Sequence, residues 1–127
     1  LEPFELAANP REAAARAHEE MGQGMLILTE GTGGARLHPA KGVIEKGSYP
    51  VAKIEDTVGA GDTFHSAFLA SVCRSTAIQG PYSDHDCDVL GHAVDFACAA
   101  AAITVSRVGC SPPTQDEVER FLQSTRR

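Results

Sequence analysis

The sequence predicts an α/β fold in three layers: a mostly parallel sheet with a short hairpin, flanked by helices. Three stretches carry that expectation. Met25-Leu26-Ile27-Leu28 is a continuous apolar run, as expected of a strand covered on both faces in a parallel sheet. It leads into Thr29-Glu30-Gly31-Thr32-Gly33-Gly34-Ala35, a glycine-rich turn. Further on, Gly59-Ala60-Gly61 stands directly ahead of Phe64, Ala67, Phe68 and Val72, apolar residues at helical spacing, so a small-residue turn opens a helix.

The elements follow in order. Asn9 as N-cap, Pro10 in the first turn and Glu12 three residues after the cap predict a helix running to about Met21 and stopping near Gly22. Its small face is Ala13, Ala14, Ala17 and Met21. The turn after the strand has two readings, a phosphate- or ribose-binding loop using the Thr29 and Thr32 hydroxyls, or a β-turn needing positive φ at Gly33 or Gly34. Residues 35–53 read as short strands punctuated by Pro39, Gly42, Gly47 and Pro50, a hairpin or meander in which His38 is a surface residue. Val51-Ala52-Lys53-Ile54 reads as the approach to the anion turn. The turn then lies beyond a strand's carboxyl end and at a helix's amino end, where ligands bind in open α/β sheets.

The helix after that turn should span Gly61 to Arg74, with His65 an exposed or core-edge residue rather than a proton relay. A loop at 75–84 follows. Asp84, Asp86, Asp88 and Asp95 have the spacing of a calcium loop, but Val89 occupies the position that needs glycine, so the acids read as a helix start. His85, Cys87 and His92 lack a fourth zinc ligand at standard spacing. A long helix from Cys87 to Val105 contains the run Ala97-Cys98-Ala99-Ala100-Ala101-Ala102. Thr114-Gln115-Asp116-Glu117 is a capping box for a last helix with Val118, Phe121 and Leu122 inside.

Composition narrows the function. The chain has 127 residues and a formal net charge of -6, so binding to nucleic acid through its phosphates is excluded as an expectation. No apolar run approaches the ~20 residues that span a bilayer, and no signal segment begins the chain. A cytoplasmic protein without membrane partners is expected. Cys73, Cys87, Cys98 and Cys110 have no C-x-x-C spacing and read as reduced, structural thiols.

A small-residue turn at a helix start exposes unpaired backbone N–H groups at the positive end of the helix dipole, a fit for phosphate. Asp62 then needs a reason, since a carboxylate repels phosphate. Helix capping is one account; accepting the proton of a hydroxyl that attacks a phosphoryl group is the other, and spacing alone leaves both open.

Asp56-Thr57-Val58-Gly59-Ala60-Gly61-Asp62-Thr63-Phe64 resembles the C-terminal signature of the ribokinase, or PfkB-type, family of carbohydrate kinases, nearly continuously over about a dozen positions. The resemblance implies a ribokinase-like fold of which residues 1–127 are the C-terminal nucleotide-binding and catalytic part. It implies Asp62 as catalytic base and Gly59, Ala60 and Gly61 as the anion hole. Gly31 and Gly34 match the spacing of the family's nucleotide loop, which would add Thr29 and Thr32. Cys98 aligns where an Asn is frequent, so it implies a small apolar contact to the base. Thr104-Val105-Ser106-Arg107-Val108-Gly109-Cys110 resembles the family's closing turn. By that likeness K⁺ would be held by the Asp56 carboxylate and the carbonyls of Val58, Thr104, Arg107 and Gly109, although Pro113 stands where some members supply a hydroxyl. ATP and Mg²⁺ are the implied cofactors, and a small sugar or sugar-like molecule the implied substrate. The alternative expectation is a non-catalytic nucleotide-binding or structural fragment lacking the sugar pocket, whose cut sheet edge favours a homodimer.

Overall fold

A computed structural model describes residues 9–22, 24–40, 42–75 and 87–125. Helix α1 (Pro10–Met21) starts where the local chemistry directs. The Asn9 side chain accepts the Glu12 amide at 3.3 Å, and Pro10 sits in the first turn, where its missing N–H costs nothing. In place of the return bond of a capping box, Asn9 Nδ2 donates to Glu12 Oε2 at 3.0 Å. Gly22, at φ 72°, ends the helix. Ala13 and Ala14 are buried, whereas Met21 is 48% exposed, so the inner face is narrower than its four small or apolar positions suggest.

Strands β1 (Leu26–Thr29), β2 (Ala35–His38) and β3 (Ile44–Lys46) form a three-stranded meander in the order β1-β2-β3, both pairs antiparallel. The mostly parallel pairing expected from the apolar run is therefore not made among the described residues. Links this short permit only hairpins, because a parallel neighbour needs a crossover of a dozen or more residues. What the apolar run does report is coverage on both faces. Leu26 lies opposite His38 and Leu28 opposite Arg36 on one face; Ile27 lies opposite Leu37 and Thr29 opposite Ala35 on the other.

Helix α1 covers the first face. There the His38 ring lies 5.5 Å from that of His18, tilted by 37°. His38 is only 6% exposed, which corrects its reading as a surface residue: the helix brings a partner over it that strand periodicity does not show. Its Nε2 is buried without a hydrogen-bond partner, and burial, with the nearby His18 and Arg36, lowers its pKa from the ordinary 6.5.

The second face carries the main core. Ala35 and Leu37 meet Phe64, Phe68 and Val72 of helix α2 (Ala60–Arg74) and Leu90, Val94, Ala97 and Cys98 of helix α3 (Cys87–Val105). Helix α1, the sheet, and α3 backed by α2 make the three layers. By length and composition α3 is apolar enough to cross a membrane, at a mean hydropathy of 1.4, beyond what the sequence reading allowed; 67% of that stretch is buried inside the protein, as a core helix requires. Helix α4 (Gln115–Thr125) closes a second cluster, Val118 and Leu122 against Phe96, Ala99, Ala100 and Ile103. Its capping box is complete: the Glu117 amide donates to Thr114 Oγ1 at 3.2 Å, and the Thr114 amide to Glu117 Oε1 at 3.0 Å.

Residues 51–54 form no strand. Instead of a strand partner, the next amides find the end of α3: Glu55 and Asp56 both donate to the Val105 carbonyl, at 2.8 and 3.3 Å. Asp84, His85 and Asp86 lie outside the described residues; among those described, no group of three or more His, Cys, Asp or Glu is placed to hold a metal ion.

Candidate active site

The anion turn is built by one glycine and opened by another. Gly59 is the N-cap of α2 at φ 84°, a left-handed conformation that a side chain resists, and a Cβ there would also collide with Cys110 Sγ. The first intrahelical bond runs from the Thr63 amide to the Gly59 carbonyl at 2.8 Å, and the Ala60 amide reaches the Thr57 carbonyl at 3.3 Å. Among the described residues, the Gly61 and Asp62 amides have no backbone acceptor. A Cβ on Gly61 would meet nothing within 4 Å, so the fold itself does not require glycine at that position.

A cleft of about 270 Å³ leads away from the turn. Ala60 and Gly61 line it together with Thr29, Gly31, Thr32 and Gly34 of the glycine-rich turn and Cys98 of α3. The structure thus gathers all five residues expected to hold a nucleotide around one cavity, with two of the three expected in the anion hole. Gly59 shapes the turn without lining the cleft. Gly34 takes the positive φ (90°) allowed for by the turn reading, while Gly33 does not; a Cβ on Gly34 would overlap the Lys46 carbonyl. The Gly31–Gly33 segment is a short 3-10 turn preceded by Glu30, which Arg11 of α1 holds at 2.7 Å. That hydrogen bond, with the charge of Arg11, keeps the Glu30 carboxyl below its ordinary pKa.

The sequence reading missed Tyr49, Val51, Ile54, Thr57 and Phe64, which also line the cleft, as do Ala101, Ala102 and Val105. The last three follow Cys98 at helical spacing, so the helix period could have found them; the irregular 49–57 segment carries no such period. Cys98 is 6% exposed and burial pushes its thiol up to about 11, which keeps it neutral.

Asp62 does not line this cleft. It is exposed and borders an adjoining cleft of about 350 Å³ shared with Ser66, Cys110 and Pro113. The N-cap is Gly59, which has no side chain to cap the helix, and Asp62 is the acidic residue of the first turn, where its charge favours the helix dipole; a helix-start role and a catalytic one both remain compatible with its place. His65 is exposed, with its ring edge-on to Phe64 at 5.9 Å.

The segments expected to hold a monovalent cation lie side by side, because the Val105 carbonyl tethers Glu55 and Asp56 beside the closing turn. Two of the expected oxygens already accept amides: the Asp56 carboxylate takes Val58 N–H at 2.9 Å, and the Thr104 carbonyl takes Arg107 N–H at 3.2 Å. The Arg107 side chain pairs with Glu117 and reaches the Ser111 carbonyl at 3.2 Å, which fixes the turn against α4.

A helix-opening turn with two amides that have no backbone acceptor among the described residues thus borders one cleft, and the exposed Asp62 borders another. The match to known proteins gives the class. The chain belongs to the pfkB family of carbohydrate kinases, whose family model matches residues 3–117. It is 34% identical over 104 residues to fructokinase-1 of Oryza sativa subsp. japonica, covering 79% of this chain and 30% of that protein. Ribokinase from Thermotoga maritima superposes with a TM-score of 0.69 at 32% identity, over 88% of this chain and 34% of that one. Arabidopsis thaliana ribokinase complexed with ribose and ATP superposes with a TM-score of 0.71 at 27% identity, over 89% and 33%. The chain spans about a third of the length of these relatives.

Proposed function

We propose that this chain is the C-terminal nucleotide-binding and catalytic part of an ATP-dependent, fructokinase- or ribokinase-like phosphotransferase that acts on a sugar hydroxyl in the cytoplasm. The observation that carries the reading is the convergence of Thr29, Gly31, Thr32, Gly34 and Cys98 on one cleft that Ala60 and Gly61 also line. A nucleotide in that cleft would set its terminal phosphate on the Gly61 and Asp62 amides, which have no other backbone acceptor among the described residues. The Asp62 carboxylate, facing the adjoining cleft, takes the proton of the sugar hydroxyl; the oxygen bonds to the γ-phosphorus as the bond to the β–γ bridging oxygen breaks, and ADP leaves. The amides stabilise charge growing on the phosphoryl oxygens without reorganising.

Mg²⁺, arriving with the nucleotide, would neutralise charge on its phosphates. Asp56 and the carbonyls of Val58, Thr104, Arg107 and Gly109 would hold K⁺ beside the turn. A second reading applies to the chain by itself: it spans about a third of its relatives, so alone it would bind nucleotide without transferring phosphate to sugar. β1 has no strand partner on its outer edge among the described residues, and a second copy pairing there would make a homodimer.

The test is sugar phosphorylation by the protein containing this chain, with its Asp62→Asn variant. Loss of the proton acceptor should lower kcat by about 10²–10⁴-fold, with ATP affinity held within about twofold of the parent. Equal loss of affinity and kcat would place Asp62 in binding and sink the mechanism.

A further inference from the structure

The turn at the start of α2 is a weak helix start. Its N-cap, Gly59, carries no side chain, so no side-chain hydrogen bond closes the first turn. Gly61 adds a second residue of high backbone freedom. Yet the Asp62 carboxylate and the Gly61 and Asp62 amides all belong to this turn, and chemistry there needs them held in place.

Helix α3 holds the turn from outside, with two grips from consecutive residues. The Val105 carbonyl takes the Glu55 and Asp56 amides, which fixes the chain where it enters the turn. Beyond the turn, Thr104 Oγ1 bonds Thr63 Oγ1 at 3.3 Å, which fixes the chain where it becomes helical. Thr63 is also the residue whose amide closes the turn onto the Gly59 carbonyl, at 2.8 Å. Residues 57–62, Asp62 among them, are strung between these two points.

Packing does not explain the Thr104 hydroxyl. Thr104 is 0% exposed, and it is the one buried hydroxyl among the described residues of α3. A valine there would fill the space without the cost of taking a hydroxyl out of water. Inside a helix a threonine hydroxyl can satisfy itself on its own i−4 carbonyl, and Thr104 reaches that of Ala100 at 3.1 Å. A hydroxyl has one proton and two lone pairs, so it serves both neighbours. The bond across to Thr63 is the one the helix does not need. Thr63 borders the same cleft as Asp62, whereas Thr104 lines neither cleft, so any effect of Thr104 on the site passes through Thr63.

We infer that Thr104 is a positioning residue: through the Thr63 hydroxyl it sets Asp62 and the Gly61 and Asp62 amides in the geometry that phosphoryl transfer needs. The inference rests on the phosphotransferase reading above and deepens it. Misplacing a reacting group by about 1 Å costs on the order of 10²-fold in rate. Loss of the link is therefore read in the chemical step, with nucleotide binding spared.

The test uses the protein that contains this chain. Single-turnover rates of sugar phosphorylation, ATP dissociation constants and melting temperatures are measured for Thr104→Val, Thr104→Ser, Thr63→Val and the double valine variant. Thr104→Val should lower the rate about 10–100-fold, with ATP affinity within about threefold of the parent and melting within about 4 °C of it. Thr104→Ser keeps the hydroxyl and should hold the rate within about threefold of the parent. Thr63→Val removes the other half of the same bond, so it should lose a similar factor, and the double variant should lose no more than either single one. Thr63 is less deeply buried, and its variant carries the test if Thr104→Val does not fold. Losses that multiply in the double variant, a serine variant as slow as the valine one, or rate and affinity that fall together would each make Thr104 a packing residue and overturn the inference. So would valine variants that keep the parent rate in a protein silenced by Asp62→Asn; the phosphotransferase reading then stands. A folded parent with no phosphotransferase activity removes that reading, and the inference with it.

Discussion

Replacing Gly61 with alanine separates what the fold needs from what the ligand needs. Gly61 lies inside α2 without a positive φ, and a Cβ there would meet nothing within 4 Å. Alanine is about 0.5–1 kcal/mol better than glycine within a helix, because less backbone freedom is lost on folding. Gly61→Ala should therefore melt a few degrees higher than the parent, as about 1 kcal/mol moves a domain of this size by roughly 2–8 °C. In the proposed complex the same methyl would stand in the cleft lining, where the nucleotide's phosphate would approach Ala60 and Gly61. An anion held off the Gly61 and Asp62 amides loses charge-assisted hydrogen bonds worth about 1.5–3 kcal/mol. That corresponds to roughly 10- to 150-fold in Kd. Thermal melting followed by calorimetric titration with Mg²⁺-ADP reads both effects on one sample. A variant that melts lower would contradict the helical placement of Gly61. One that binds ADP as tightly as the parent would mean that no phosphate approaches there.

The other glycine of the cleft wall should behave in the opposite sense. Gly34→Ala forces a side chain to φ 90° and into the Lys46 carbonyl, with Gly47 Cα 2.8 Å away; strain and overpacking together should cost about 2–6 kcal/mol, read as a lower urea midpoint. Thr114→Ala removes the hydroxyl that accepts the Glu117 amide and should cost about 1 kcal/mol in the same assay. His38 makes stability depend on pH. Its pKa is lowered by burial, then by His18 and Arg36, so the unfolded chain binds the proton more readily and stability grows with pH. The contribution is complete above about pH 6.5 and is lost as the pH falls from there to the depressed folded value. Melting temperatures at pH 7.5 and 5.5 should differ more for the parent than for His38→Leu.

The helices were legible because their ends are decided locally. Asn9 and Pro10, or Thr114 and Glu117, need only neighbours within a turn, and the sequence shows those neighbours. Strand direction is a different matter. The run 25–28 says that both faces are covered, but antiparallel pairing comes from the short links to β2 and β3, which the apolar pattern does not encode. His38 reads as a surface residue until α1 is docked, because the ring that buries it belongs to His18 on another element. The site divides in the same way. The turn at 59–61 is written in consecutive small residues and the cleft residues of α3 follow the helical period, whereas Tyr49, Val51 and Ile54 reach the cleft from an irregular segment whose path depends on Val105 and Asp95.

The alanines of α3 set how the cleft responds to its ligand. Ala101 and Ala102 form its side, with Ala97, Ala99 and Ala100 buried behind them. An alanine side chain has no rotamers to lose. That wall therefore takes its final shape when the chain folds, and a ligand meets a surface with no conformational disorder to quench. Replacing Ala101 with a long flexible side chain such as methionine would introduce that disorder, and the weakened binding should register as an unfavourable entropy change.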